Sequence, residues 1–140
     1  MDRTKYSENI VTLALVKYAG VNPRTFDLLM QRFLSLDEIL LAEEHELAEI
    51  DGLSAGAASK IAHVGDHLEQ AFDYSLELSK IDIRIFSRFE EGYPGHLMEI
   101  NDPPPIIYSR GKILDTSVKS LSLIGAEEAT QEGIALTTQT

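Results

Sequence analysis

Three consecutive prolines, Pro103 to Pro105, constrain this chain more than any other feature. Each locks φ and lacks a backbone donor, so the run is excluded from a helix interior and from a central strand. Asp102, just before the first proline, is pushed toward an extended or turn conformation. Ile106-Ile107-Tyr108 follow at once as strong β formers, and Gly111 stops them. The stretch from Tyr93 to Gly111 therefore reads as an extended crossing into a sheet, between a helical first half and a strand-like second half.

The charge balance narrows the classes of partner. With 23 acidic against 12 basic side chains over 140 residues, net charge is −11. That argues against a broad electropositive face, the usual footprint of a nucleic-acid binder. The chain has no cysteine, which excludes disulfide and thiolate chemistry. The start, MDRTKYSENI, is polar and lacks the apolar run of a signal peptide. No stretch is long and apolar enough to span a bilayer. A soluble cytoplasmic protein without a cofactor is the expectation.

Taken in order, the first half predicts a series of helices. Ile10, Leu13, Ala14 and Val16 carry a helical period ending near Gly20. Asn22 then reads as an N-cap with Pro23 at the first helical position, and Phe26, Leu29, Met30 and Phe33 as the buried face. Ser35 and Glu38 form a capping box that opens a short helix through Ala42. Glu46 to Ile50 is another short helical piece, broken by Gly52. Ser54 caps one long helix, with Ala57, Ala58, Ile61, Val64, Leu68, Ala71, Phe72, Ser75 and Leu78 as a single core-facing stripe. After Lys80 the period changes to two. Ile81, Ile83 and Ile85 predict a half-buried strand, and His96 to Glu99 one short helical turn. Residues 112–118 read as loose, Ser120 to Ile124 as a strand, and Thr130 as the start of a final helix.

Within this pattern, Tyr93-Pro94, Leu97, Ile100, Asp102-Pro103-Pro104 and Tyr108 to Gly111 resemble the "YP..L..I.DPP..LY..G" signature of the DNA-processing protein A (DprA/Smf) family. The segment LSLIGAEEATQEG is similar to that family's first Rossmann-like strand, loop and helix, with Ile124, Gly125, Ala129, Thr130 and Gly133 in the corresponding places and Gly125, Ala126 and Thr130 as the loop residues. A glycine between strand and helix permits close approach of a phosphate to backbone donors. In the family the basic residue of this loop contributes to binding single-stranded DNA. Glu127 stands there in this chain, with Glu128 beside it, and carboxylates repel phosphate. A plain structural turn is therefore favoured at this loop.

Two helical segments repeat each other. Gly20-Val21-Asn22 matches Gly52-Leu53-Ser54, each reading helix, glycine, apolar residue, capping residue, helix. They resemble the helix-hairpin-helix motif, in which backbone N–H groups at a helix N-terminus hold a DNA phosphate without reading sequence. The candidate phosphate-binding residues are Gly52, Leu53, Ser54 and Lys60 in the second copy, and Gly20, Asn22 and Arg24 in the first. Asn22 and Ser54 replace the motif's second glycine, and Glu46, Glu49 and Asp51 stand close by. Both departures favour packing of a small bundle over phosphate binding.

The expected architecture is α followed by α/β. Residues 1–80 form a helical SAM-like/helix-hairpin-helix module. Residues 81–140 form an extended connector and the first strands of an incomplete Rossmann-like domain. Only one βα unit is present, so the chain reads as the front portion of the family's length: an expressed portion, a proteolytic remnant or a shortened gene product. For the intact protein the resemblance implies a non-enzymatic role, binding incoming single-stranded DNA in natural transformation and loading a RecA-type recombinase, with homo-oligomerisation open. Two alternatives are a stand-alone, sequence-neutral duplex-binding module and an acidic protein-interaction module. His63 and His67, four apart, suit one helix face, but spacing supplies no third metal ligand, and solvated histidines are the simpler reading. Tyr6, Tyr18 and Tyr74 are scattered without interleaved basic residues, which favours packing over base stacking.

Overall fold

Six consecutive residues of the first helix, Ile10 to Leu15, are buried. A helix buried on every side belongs at the centre of a fold rather than on its flank. The apolar period read from Ile10, Leu13, Ala14 and Val16 marks only part of this burial, which also takes in Val11, Thr12 and Leu15. In the computed structural model, which describes residues 6–111, 124–125 and 127–138, α1 (Glu8–Lys17) supplies Ile10, Val11, Leu13, Ala14 and Leu15 to the hydrophobic core.

The chain leaves α1 through a tight reversal. The Val21 N–H donates to the Leu15 carbonyl at 3.0 Å, and Gly20 between them has φ +72°. That region is costly for any residue with a Cβ. Helix α2 (Pro23–Arg32) opens as expected: the Asn22 carboxamide oxygen accepts the Thr25 N–H at 2.8 Å, and Pro23 occupies the first turn. Phe26 and Leu29 are its buried anchors. Helix α3 (Leu36–Leu41) is capped by Ser35 Oγ, which accepts the Glu38 N–H at 3.2 Å. The return bond of the box is displaced by one residue, since Glu38 Oε2 accepts the N–H of Leu34 at 2.8 Å. Ala42 has already left the helix.

Helix α4 (Glu44–Ala48) starts and ends two residues earlier than expected, because Glu46 reaches back to accept the Glu43 N–H at 2.9 Å. A second reversal follows, with Gly52 at φ +89°. Ser54 caps the next helix through the Ala57 N–H at 3.2 Å. The expected single long helix is two helices, α5 (Ala55–Ala62) and α6 (Leu68–Lys80), joined by a 3-10 turn at Val64–His67. His63 takes φ −100°, ψ 6°, and its Nδ1 donates to the Ser59 carbonyl at 2.8 Å. Gly65, a weak helix former, follows. The tighter turn changes the angular phase of what comes after. Ala58, Ile61, Val64, Leu68 and Ala71 still face the core, but Phe72 is 43% exposed.

Helix α6 ends through Asp82, which has φ +58°. The strand therefore begins at Ile83 rather than Ile81, and Ile81 is exposed. Strand β1 (Ile83–Ser87) pairs antiparallel with β2 (Ile106–Arg110), with Ile85 opposite Tyr108 and Ser87 opposite Ile106. Ile106 joins the helical core. Asn9 of α1 fastens β1 from the other side: its Oδ1 accepts the Ser87 N–H at 2.8 Å and its Nδ2 donates to the Ile85 carbonyl at 3.4 Å.

The proline run is a buried bracket. Pro103 and Pro105 are buried at the entrance to β2. The Tyr93 hydroxyl donates to the Pro104 carbonyl at 2.7 Å, and Arg88 Nε donates to the same oxygen at 3.3 Å. The Arg88 backbone N–H donates to the Pro105 carbonyl at 3.2 Å. The Arg88 guanidinium lies 5.2 Å from the Phe26 ring centroid and pairs with Asp27 of α2. Donors missing from three prolines are thus irrelevant here, because what the bracket uses is their carbonyls. A 3-10 turn at Gly95–Glu99 matches the short turn expected there.

Helix α7 (Gln131–Thr138) is capped by Thr130, whose Oγ1 accepts the Gly133 N–H at 3.2 Å, and buries none of its side chains. The loose segment 112–118 lies outside the described residues, as does the expected strand at 120–124 apart from Ile124, which is 97% exposed. The observed fold is mixed: helices with a small two-stranded antiparallel sheet. Among the described residues, no helix is long and apolar enough to cross a membrane.

Candidate nucleic-acid interface

The two glycine reversals, 32 positions apart in the chain (52 minus 20), lie side by side in space. Gly20, Val21 and Asn22 from one, and Gly52, Leu53 and Ser54 from the other, line a single cleft of about 250 Å³. Val21 and Ile61 belong to the core beneath it, and Thr25 and Ala57 complete the wall. None of the ten lining residues carries an ionisable side chain. Neither α2 nor α5 has an acidic residue in its first turn. Two helix N-termini therefore present partial positive charge to one uncharged concavity.

Five candidate residues meet at this cleft: Gly20, Asn22, Gly52, Leu53 and Ser54. Arg24 and Lys60 do not line it. Lys60 lies in the last turn of α5, at the far end from Ser54. Sequence reading expected a cation beside each hairpin. The structure instead offers backbone and neutral caps. Thr25 and Ala57 were missed by sequence reading, although each is the third helical residue whose N–H a cap must take, which is a readable signal.

At the second candidate loop, Gly125 and Thr130 are exposed, and Ala126 lies outside the described residues. Glu127 and Glu128 are exposed beside them, and Thr130 serves as the cap of α7.

The tyrosines are not scattered as expected. Lys17 Nζ lies 3.9 Å from the Tyr74 ring centroid and 5.9 Å from that of Tyr18. Tyr18 stacks on His67 at 5.0 Å with ring planes 5° apart. Tyr108 of β2 joins them; burial raises its pKa, and the neighbouring Tyr74 and Tyr18 add to the effect. Tyr6 stands apart, edge-on to Phe72 at 6.2 Å. Tyr93 also has a raised pKa, because burial outweighs the opposing charge and hydrogen bond of Arg88. His63 and His67 do not share a helix: one ends α5 and the other lies in the 3-10 turn, its Nδ1 2.9 Å from Gln70 Oε1. Among the described residues, no three His, Asp or Glu side chains come together as a metal would require.

Residues 84–140 match the family model described as DNA recombination-mediator protein A. That match starts in β1 and takes in the proline bracket, β2 and α7. Over 131 residues the chain is 25% identical to Protein Smf of Synechocystis sp., an alignment covering 91% of this chain and 33% of that protein. The chain thus spans about one third of the length of the curated relative. No solved structure matches it at a significant level. The family match over residues 84–140, and a relative aligned across 91% of this chain, make it similar to the DprA/Smf family of DNA-processing proteins.

Proposed function

We propose that the chain is the N-terminal portion of a DprA-like recombination mediator. In this reading residues 1–80 are a SAM-like/helix-hairpin-helix module, and residues 81–140 open a Rossmann-like domain. The whole protein binds single-stranded DNA during natural transformation and helps a RecA-type recombinase load onto it, in the cytoplasm and without a covalent step. The observation that carries the reading is the family match across the bracket that builds β1 and β2.

The cleft between the two reversals is where the helical portion would touch a nucleic acid. Asn22 and Ser54 take the N–H groups of Thr25 and Ala57 and hold those turns in place, which leaves the backbone N–H groups of Arg24 in α2 and of Ala55 and Gly56 in α5 to receive one phosphate. Such a contact positions a backbone and reads no bases, which suits a mediator that handles any incoming sequence. Phosphate here would meet no carboxylate in the cleft wall, so the acidic net charge lowers affinity from a distance rather than blocking the site.

Fluorescence anisotropy of the 140-residue chain with labelled single- and double-stranded oligonucleotides, at low and physiological salt, tests this. Salt-sensitive binding that Ala57→Glu abolishes and Lys60→Glu leaves largely intact is expected. Binding to neither strand form at low salt by the folded chain would overturn the role of the cleft. Loss on Lys60→Glu alone would move the contact to the α5 surface.

A further inference from the structure

We infer that the outer edge of β1, together with the exposed face of α6, is a docking groove for an extended cationic segment of a partner protein. Two adjoining cavities, of about 400 and 460 Å³, share Ser7, Ile10 and Phe72 and form one continuous groove. It is lined by four consecutive residues of β1, Ile83 to Phe86. Successive strand residues point to opposite faces, so a groove touching all four runs along the strand's edge rather than over one face.

That edge carries outward-directed backbone groups. Asn9 receives or bonds the Ser87 N–H and the Ile85 carbonyl, which places both on the side away from β2. By the alternation of an antiparallel ladder, the N–H and C=O of Ile83 and the N–H of Ile85 face the same way. Asn9 thus covers one end of the edge, and the groove opens over the other. An incoming strand would pair there by adding to the sheet.

The side walls select the strand. Phe72 and Leu76 are 43% and 45% exposed and lie one turn apart on α6. They would take the apolar side chains of alternate positions. Glu69 and Asp73 line one lobe of the groove and Glu90 the other. Arg84, the basic residue of the lining, has its guanidinium engaged by the Gly111 carbonyl at 3.0 Å. This wall is apolar with acidic margins. It repels a nucleic-acid phosphate, and it repels a second copy of a chain with net charge −11, which would bring the same acids. A polypeptide alternating apolar residues with Lys or Arg is complementary to it. The inference stands whether or not the cleft at Gly20 and Gly52 holds phosphate.

A fluorescent octapeptide of alternating Val and Lys, titrated against the 140-residue chain by anisotropy, is the test. Expected are salt-sensitive binding and at least a tenfold loss with Leu76→Lys and with Asp73→Lys. Glu128→Lys, which makes the same charge change in the loop before α7, should leave affinity within about twofold. Methylating the peptide's alternate backbone nitrogens should abolish binding, because strand addition needs those donors, and this arm does not depend on any variant folding. The inference is overturned by absence of binding, by equal losses for Asp73→Lys and Glu128→Lys, or by undiminished binding of the methylated peptide. Self-association that Leu76→Lys removes would also overturn it, assigning the groove to a second copy.

Discussion

Replacing Asn9 with alanine removes a side chain that joins the central helix to the sheet. In the native fold its Oδ1 accepts the N–H of Ser87, a residue with no exposed surface, at 2.8 Å. Its bond to the Ile85 carbonyl is 3.4 Å long and contributes less. Losing the short bond costs about 1 kcal/mol, and leaving a buried N–H without a partner adds about 1–2 kcal/mol. Alanine's higher helix propensity returns up to about 0.7 kcal/mol. The net loss is about 2 kcal/mol, equivalent to a fall of roughly 6–10 °C in Tm for a chain of this size. Asn9→Asp keeps the acceptor for Ser87 but places a carboxylate near the Ile85 carbonyl, and should cost less than about 1 kcal/mol. Urea and thermal unfolding followed by circular dichroism give the free energies, and hydrogen exchange at the Ser87 amide gives the local opening. The reasoning is refuted if alanine lies within about 0.5 kcal/mol of wild type, or if aspartate is as damaging as alanine.

Asn22→Ala and Ser54→Ala should each cost about 1 kcal/mol through loss of a cap, measured by chemical denaturation, and a double mutant would show whether the shared cleft couples them. Gly20→Ala meets no atom within 4 Å but must hold φ +72°, so it should lose about 1–2 kcal/mol from backbone strain alone. Gly92→Ala is limited by space instead: a Cβ there would lie 2.4 Å from the Phe86 ring, so the loss should be accompanied by a changed Phe86 environment in NMR. Tyr93 and Tyr108 have raised pKa values, so the folded state resists their ionisation while the unfolded chain ionises from about pH 10. Stability is then unaffected below about pH 10 and falls as pH rises through the folded-state values. Tyr93→Phe, though weaker at neutral pH for want of the bond to Pro104, should show a shallower alkaline decline in a pH series of unfolding midpoints.

Local chemistry was legible in the sequence wherever one residue decides it. Asn22-Pro23, Ser35 and Ser54 name three helix starts, because a short polar side chain satisfies a helix's first donors from a single position. Gly20 and Gly52 name two reversals for an equally local reason, the φ each must adopt. The proline run correctly marked an extended entry into strand β2, though β1 lies before it and α7 after it, and its motif carried the family resemblance. What the sequence could not show was how pieces distant in the chain are brought together. The break between α5 and α6 leaves the apolar period intact, so periodicity read straight through it, and the phase shift that exposes Phe72 appeared only in three dimensions. Tyr18 and Tyr74 looked unrelated because helix packing, not spacing, brings both rings to Lys17.

The same division holds for the candidate sites. By itself the sequence determined the two hairpins, their caps and the acidic balance, since each depends on residue type and near neighbours. Only the tertiary structure decided that the hairpins share one uncharged cleft, that Lys60 and Arg24 lie outside its wall, and that Arg88 ties the proline carbonyls to α2. Those facts depend on where a buried central helix holds its partners. Burying α1 on all sides is a property of the whole core rather than of any segment.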